Sequence, residues 1–153
     1  GTDVNTWVGC PRVRMHLHYD AKANVFVQLR GAKRFTLFAA DAVRHLRVFP
    51  YGHPQQRSSQ LASAAAAAAV VAPTVVDVEA GDVLYVPAYV WHEVETVPSE
   101  VSLSVNIFSL ERATNRAYRA WHTPMPFESH WSVPRRLRHV CAYMVAIEAV
   151  TAA

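Results

Sequence analysis

From Thr6 to Phe108 the chain is cut into short apolar runs, each closed within a few residues by Gly, Pro, Asp or Ser. Runs this short leave no room for long helices, and polarity that alternates residue by residue belongs to strands. Trp7, Val8, Val13 and Met15 stand among Arg12, Arg14 and His16, so Thr6 to Leu17 is expected as an opening strand. Asn24 to Leu29 follows as a second, Arg30-Gly31-Ala32-Lys33 supplies a tight turn, and Arg34 to Phe38 returns, which together predict a hairpin. Further strands are expected at Thr74 to Val78, Val83 to Val86, Trp91 to Val97 and Val101 to Phe108, with turns at Glu79-Ala80-Gly81-Asp82 and Pro98-Ser99-Glu100. Seven or eight such strands predict an all-β sandwich or barrel.

Helical patterns interrupt and follow this series. Asp41 to Leu46 reads as one helical turn before Pro50, Gly52 and Pro54 break the backbone. Residues 55–73 pass from Gln and Ser into an alanine tract that only Ser63, Val70 and Val71 interrupt. Alanine has little to bury, so this segment is expected as a long inserted loop, partly disordered or transiently helical; a short surface helix is the alternative. Past residue 109, Leu110 to Trp121 sets Arg112, Arg116 and Arg119 on one helical face. Arg135 to Val150 then repeats Leu137, Val140, Cys141, Met144 and Ile147 at helical spacing. The expected organisation is a β core over 1–109, carrying the alanine-rich insertion. A helical segment over 110–153 packs on that core or forms a homodimer interface.

With 153 residues, 52% apolar and 18% charged, the chain has a globular composition and suffices for one core without staples. Cys10 and Cys141 are far apart and share no paired spacing, which argues against a zinc cluster or a disulfide framework. No apolar run is long enough to cross a bilayer and no signal-peptide pattern opens the chain, so a cytoplasmic or nuclear protein without membrane contact is expected. Gly1 stands where Met is usual, and the natural start, with any targeting segment, is expected upstream. The net charge of +3 is compatible with an acidic or nucleic-acid partner without requiring one.

Chemistry concentrates in His18-Tyr19-Asp20 and, far downstream, Trp91-His92. Alternate residues of a strand share a face, so His18 and Asp20 can grip one ion, and His92 closes the set from the strand after Gly81 to Pro87. Two imidazoles and a carboxylate with open positions opposite suit ferrous iron; the same set tolerates Mn(II), Co(II) or Zn(II). Taken alone, His-x-Asp is more often a hydrogen-bonded surface pair than a metal site. His16 shares the strand facing and is expected to support a ligand or line the substrate path rather than act as a fourth ligand, while Trp91 and Tyr85 are expected in the core.

With the motifs placed on strands, the chain resembles the jumonji-C/cupin-like family of iron(II)- and 2-oxoglutarate-dependent dioxygenases. The resemblance is carried by the block from His18-Tyr19-Asp20 through Asn24-Val25-Phe26-Val27-Gln28-Leu29-Arg30-Gly31-Ala32-Lys33-Arg34. It continues in Gly81 to Pro87 with Trp91-His92, and in Val105-Asn106-Ile107-Phe108. It looks most like the subgroup of the asparaginyl hydroxylase acting on hypoxia-inducible factor, with the tRNA-wybutosine hydroxylase also close.

The resemblance implies a mainly β, double-stranded β-helix (jelly-roll, cupin-like barrel) with C-terminal α-helices. It implies His18, Asp20 and His92 as catalytic ligands of Fe(II), and Lys33 as partner of the distal carboxylate of the cosubstrate 2-oxoglutarate. Asn24 and Asn106 fall on amide positions near metal and cosubstrate. Where members often carry Thr, three residues before the first ligand, this chain has Met15, which cannot donate a hydrogen bond; Thr36 is expected to help Lys33 instead. The tyrosine that shares this task in the asparaginyl hydroxylase falls upstream of this chain. The implied reaction hydroxylates a C–H bond while 2-oxoglutarate is decarboxylated to succinate. A protein side chain is the first substrate expectation, then tRNA or a methyl-lysine. A non-catalytic binding or dimerisation module, or a cupin using another metal, are the readings of other classes.

Overall fold

Counted from its two ends, the β core pairs strand for strand. In this computed structural model, which describes residues 3–49, 53–97, 100–109, 132–138 and 141, β1 (Asp3–Gly9) lies antiparallel to β8 (Ser102–Ser109) and β2 (Arg14–Tyr19) to β7 (Trp91–Thr96). In the same way β3 (Ala23–Arg30) pairs β6 (Val83–Val86), and β4 (Lys33–Phe38) pairs β5 (Thr74–Val78). This is a long hairpin, folded at β4 and β5 and wound on itself. Pairings of β3 with β8 and of β4 with β7 stitch successive windings together. Two four-stranded sheets result, β1-β8-β3-β6 and β2-β7-β4-β5, so the chain is mainly β with a double-stranded β-helix fold.

Two local expectations change. The run from Thr6 to Leu17 is two strands in different sheets, because Cys10 to Val13 makes a turn: Val13 N–H donates to the Cys10 carbonyl and Arg12 takes φ 66°. Likewise β3 and β4 do not form a hairpin, since Gly31 passes the chain from one sheet to the other. At that crossing φ is +67° and a Cβ would stand 2.9 Å from the Val101 carbonyl oxygen, so glycine is required twice over.

Between the sheets lies an apolar cluster of Phe26, Phe35, Val78 and Val86, with the two phenyl rings edge to face at 4.9 Å. Leu17, Phe38 and Trp91 project from the opposite face of the second sheet. There they pack with Ala42 and Leu46, and with Ala64 and Ala67, into a second cluster. Ala42 belongs to a 3-10 helix, Ala40–Arg44, and the other two alanines to α1, Ala64–Ala68. Burial of Leu17, Leu46 or Phe38 stabilises by roughly 1.5–3 kcal/mol each.

The alanine tract expected as a loop therefore contains a helix that belongs to the core. Ser63 caps it by accepting from the Ala66 N–H, and Ala64 N–H donates to Glu93 Oε2 at 3.0 Å. Small methyl groups let the helix backbone lie close to Trp91 and Leu17, so an alanine helix is buried by close approach. Tyr85, expected inside, is 51% exposed, whereas Trp91 is 1% exposed.

Residues 110–153 form a separate compact unit, in which 133–138 are helical and Arg135 and Arg136 donate to the Ser132 carbonyl. The helix expected over Leu110 to Trp121 and most of that over Arg135 to Val150 lie outside the described residues. No helix among the described residues is long and apolar enough to cross a membrane.

Candidate metal centre

His18 on β2 and His92 on β7 are register partners, with ring centroids 4.3 Å apart. Asp20 follows β2 directly. Its Oδ2 lies 3.6 Å from His92 Nε2, and ligand atoms of all three side chains fall within 4.8 Å of one another. The Asp20 carbonyl accepts the Tyr89 N–H at 2.8 Å, and Tyr89 adopts φ 65°, a left-handed conformation unusual for a tyrosine. That bond ties the loop bearing the carboxylate to the one leading into His92.

Each imidazole is oriented by the chain beside it. His18 Nδ1 lies 2.7 Å from the His16 carbonyl and His92 Nδ1 lies 2.9 Å from the Val90 carbonyl. A carbonyl only accepts, so Nδ1 carries a proton in both rings and Nε2 is the atom each ring turns toward a ligand. Burial, followed by the nearby His92, pushes the His18 pKa down to about 4, so this ring is neutral near pH 7. Burial alone would raise the Asp20 pKa. The approach of His92, 3.6 Å away, together with His18 and Arg57, outweighs it and holds the carboxyl below its usual range. A divalent cation needs its imidazole ligands neutral and its carboxylate ligand ionised.

Residues 55–59 run beside β2 as a further edge. Tyr19 N–H donates to the Arg57 carbonyl and Ser59 N–H to that of Leu17. His18, Pro54, Gln55, Gln56, Arg57 and Ser58 line a shallow cleft, so an exposed guanidinium and two amides stand beside the first ligand. His16 does not line the site. The register slips by one residue between Met15 and His18, and the His16 ring bonds the Ser59 carbonyl at 2.8 Å.

Of the other expected residues, Lys33 on β4 is 9% exposed, with its Nζ 5.2 Å from the centre of the Phe26 ring. Burial lowers its pKa. Its register partner on β7 is Thr96, whereas His92 pairs with Leu37, so Lys33 stands four residues, roughly 13 Å, along the same inner face from His92. Asn24 is 5% exposed and its Oδ1 has no hydrogen-bond partner among the described residues. Asn106 Oδ1, by contrast, accepts from Asn5 Nδ2 and Trp7 Nε1, which ties it to β1. Thr36 falls on the other side of β4, with Arg34 and Phe38, opposite Glu93. Strand alternation thus turns it away from Lys33.

Residues not anticipated complete the inner wall. Gln28 shares a face with Asn24 and Phe26 on β3, and Ser102 and Ser104 share one with Asn106 on β8. All three are fully buried. The signal was available as Ser-x-Ser-x-Asn and Asn-x-x-x-Gln at two-residue spacing inside strand-like runs. A buried lysine on the same inner face as a two-histidine, one-carboxylate cluster fits a metal together with a small anionic ligand.

A family model described as a cupin-like domain matches residues 1–114. The chain belongs to the cupin-like domain family. Among relatives, it is 34% identical over 99 residues to a "tRNA wybutosine-synthesizing protein 4" of Gibberella zeae, a match covering 63% of this chain and 9% of that protein. It is 28% identical over 109 residues to a "Jumonji C domain-containing protein 5" of Drosophila melanogaster, covering 67% of this chain and 27% of the relative. This cupin-like chain thus has jumonji-C relatives and spans under a third of the length of either. Its fold is similar to that of an RmlC-like cupin with a double-stranded β-helix from Methanocaldococcus jannaschii, at TM-score 0.43 and 15% identity over 71% of this chain and 69% of that one.

Proposed function

We propose that this cupin-like domain is an Fe(II)- and 2-oxoglutarate-dependent oxygenase that hydroxylates a C–H bond of its substrate. The observation that carries the reading is the convergence of His18, Asp20 and His92, with both Nδ1 atoms engaged by backbone carbonyls and His92 Nε2 3.6 Å from the Asp20 carboxylate. His18, Asp20 and His92 would hold the iron, and Lys33 the far carboxylate of 2-oxoglutarate. Bound together, iron and 2-oxoglutarate supply dioxygen activation with loss of carbon dioxide and formation of succinate.

The chain's own part is placement and protection. Val90 and His16 carbonyls fix the ligand rings, Tyr89 N–H holds the Asp20 loop, and the inner wall keeps the cosubstrate end of the site from bulk water. The substrate enters past Arg57, Gln55 and Gln56.

A protein side chain is the first substrate, by likeness to the asparaginyl hydroxylase subgroup. A tRNA nucleoside is the second, favoured by the name of the Gibberella relative and by Arg57 at the mouth, whose cationic head suits a phosphate. Incubation with Fe(II), ascorbate and 2-oxoglutarate, separately with a peptide library and with bulk tRNA, tests the reading. Succinate formation stimulated by one of the two, with gain of one oxygen in that pool and none in His92→Ala, is the expected result. Metal retained on the triad with no 2-oxoglutarate bound or consumed would instead identify a non-catalytic cupin module.

A further inference from the structure

The outer faces of the two sheets are built differently. In the second sheet, register partners run Arg14, Glu95, Arg34 and Asp77 across β2-β7-β4-β5, so charges alternate in sign. Arg34 Nε and Nη2 reach the Asp77 carboxylate at 2.7 and 2.8 Å. An antiparallel face that meets water is ordinarily polar in this way. In the first sheet one row runs Val4, Ile107, Val25 and Tyr85 across β1-β8-β3-β6, and the next runs Thr6, Val105, Val27 and Val83. Neither row contains a charged residue.

Strand alternation sends these side chains to the side opposite Asn24, Gln28 and Asn106, out of the barrel. Val8, which extends the face on β1, is 73% exposed, and Val83 on β6 is 63% exposed. With Leu29 and Leu103 the face offers on the order of 700 Å² of accessible surface, near the ~800 Å² per partner of a standard stable interface. Among the described residues, charge reappears where the strands end. Lys22 pairs with Asp3 at the start of β1, and Arg30, at the end of β3, pairs with Glu100 at 3.4 Å. Each of these four charges has its counter-ion in the same chain, so none selects an unlike partner and two identical margins meet without repulsion.

We infer that the outer face of the first sheet is a self-association surface, packed against the same face of a second copy of this chain. A patch that meets itself across a two-fold axis is complementary without any other partner. Two apolar sheet faces pack about 10 Å apart with their strands turned by roughly 30°, as in a β-sandwich, and so bury both rows at once. His18 and His92 stand on the other sheet, so this surface is separate from the candidate metal centre and does not depend on the oxygenase reading.

Sedimentation equilibrium of the whole chain tests it. The wild type should sediment as a dimer, and Val8→Lys and Val83→Lys, on opposite edges of the face, should each raise the dissociation constant by roughly 10-fold or more, because each buries an unpaired ammonium. The double substitution should give a monomer. Both side chains are exposed in the single copy, so at dilutions where all are monomeric the variants should melt with the wild type. Val75→Lys, on the outer face of the second sheet, and Leu137→Lys, exposed in the C-terminal unit, should leave the dimer intact. A dimer that Leu137→Lys dissociates and the double substitution does not would overturn the assignment in favour of the C-terminal unit. A wild type still monomeric at about 100 μM overturns it as well. If the double substitution then lowers the melting temperature, another segment of the chain covers the face; if it abolishes flotation with phosphatidylcholine vesicles, a lipid surface does.

Discussion

Beneath α1, the outer face of the second sheet is largely apolar: Leu17, Phe38, Leu46 and Trp91 are at most 1% exposed and pack into one cluster. The inner face of the first sheet reverses this. Asn24, Gln28, Ser102, Ser104 and Asn106 are buried there, while Val4, Val8 and Val83 on its other side are more than 60% exposed. Much of the packing that stabilises the domain thus sits outside the barrel, and groups suited to a ligand occupy the inside. Stability and binding should then respond to different mutations.

The largest expected effect is on the dry side. Leu46→Ala leaves a cavity under fully buried surroundings and should cost about 2–5 kcal/mol in chemical denaturation, with metal affinity of the folded fraction unchanged. Ala67→Leu forces extra volume between helix and sheet and should cost about 1–3 kcal/mol by the same measurement.

On the polar side the sign reverses. Lys33→Met removes a buried ammonium and should raise the melting temperature of the metal-free protein by a few degrees while it abolishes 2-oxoglutarate binding. The lowered pKa of Lys33 also fixes the pH dependence. Between that pKa and the ordinary 10.5, the folded state binds fewer protons than the unfolded one, so wild-type stability gains with rising pH. The advantage of Lys33→Met should be full below the native pKa and fade as pH climbs to 10.5.

Glu93 joins the two layers, and Glu93→Gln gives the smallest effect. The amide still accepts from the Ala64 N–H, and only the 3.9 Å pairing with half-exposed Arg14 is lost, so the cost should stay below about 1 kcal/mol.

The sequence carried the strands and the triad more fully than the layers. Thr74–Val78 and Val83–Val86 alternate cleanly and are bounded by turn residues, and the structure has β5 and β6 at those bounds. His18 and Asp20 needed only strand alternation to be placed together, and His92 was drawn in by ligand chemistry. What failed was information that is not local. Nothing in Arg30-Gly31-Ala32-Lys33 distinguishes a hairpin from a step between sheets, because that depends on β8 and β7 arriving much later. The bulge that turns His16 aside and the face of β4 that carries Thr36 are set by register, which periodicity alone does not fix. The alanine tract gives no such signal, because burial of α1 comes from close approach, not from the size of its side chains.

Anaerobic addition of Fe(II) and 2-oxoglutarate to the purified protein tests the central claim most directly. The account predicts a visible charge-transfer band in the wild type that is absent from His92→Ala. A wild type shown by elemental analysis to hold iron, yet giving no band, would contradict it.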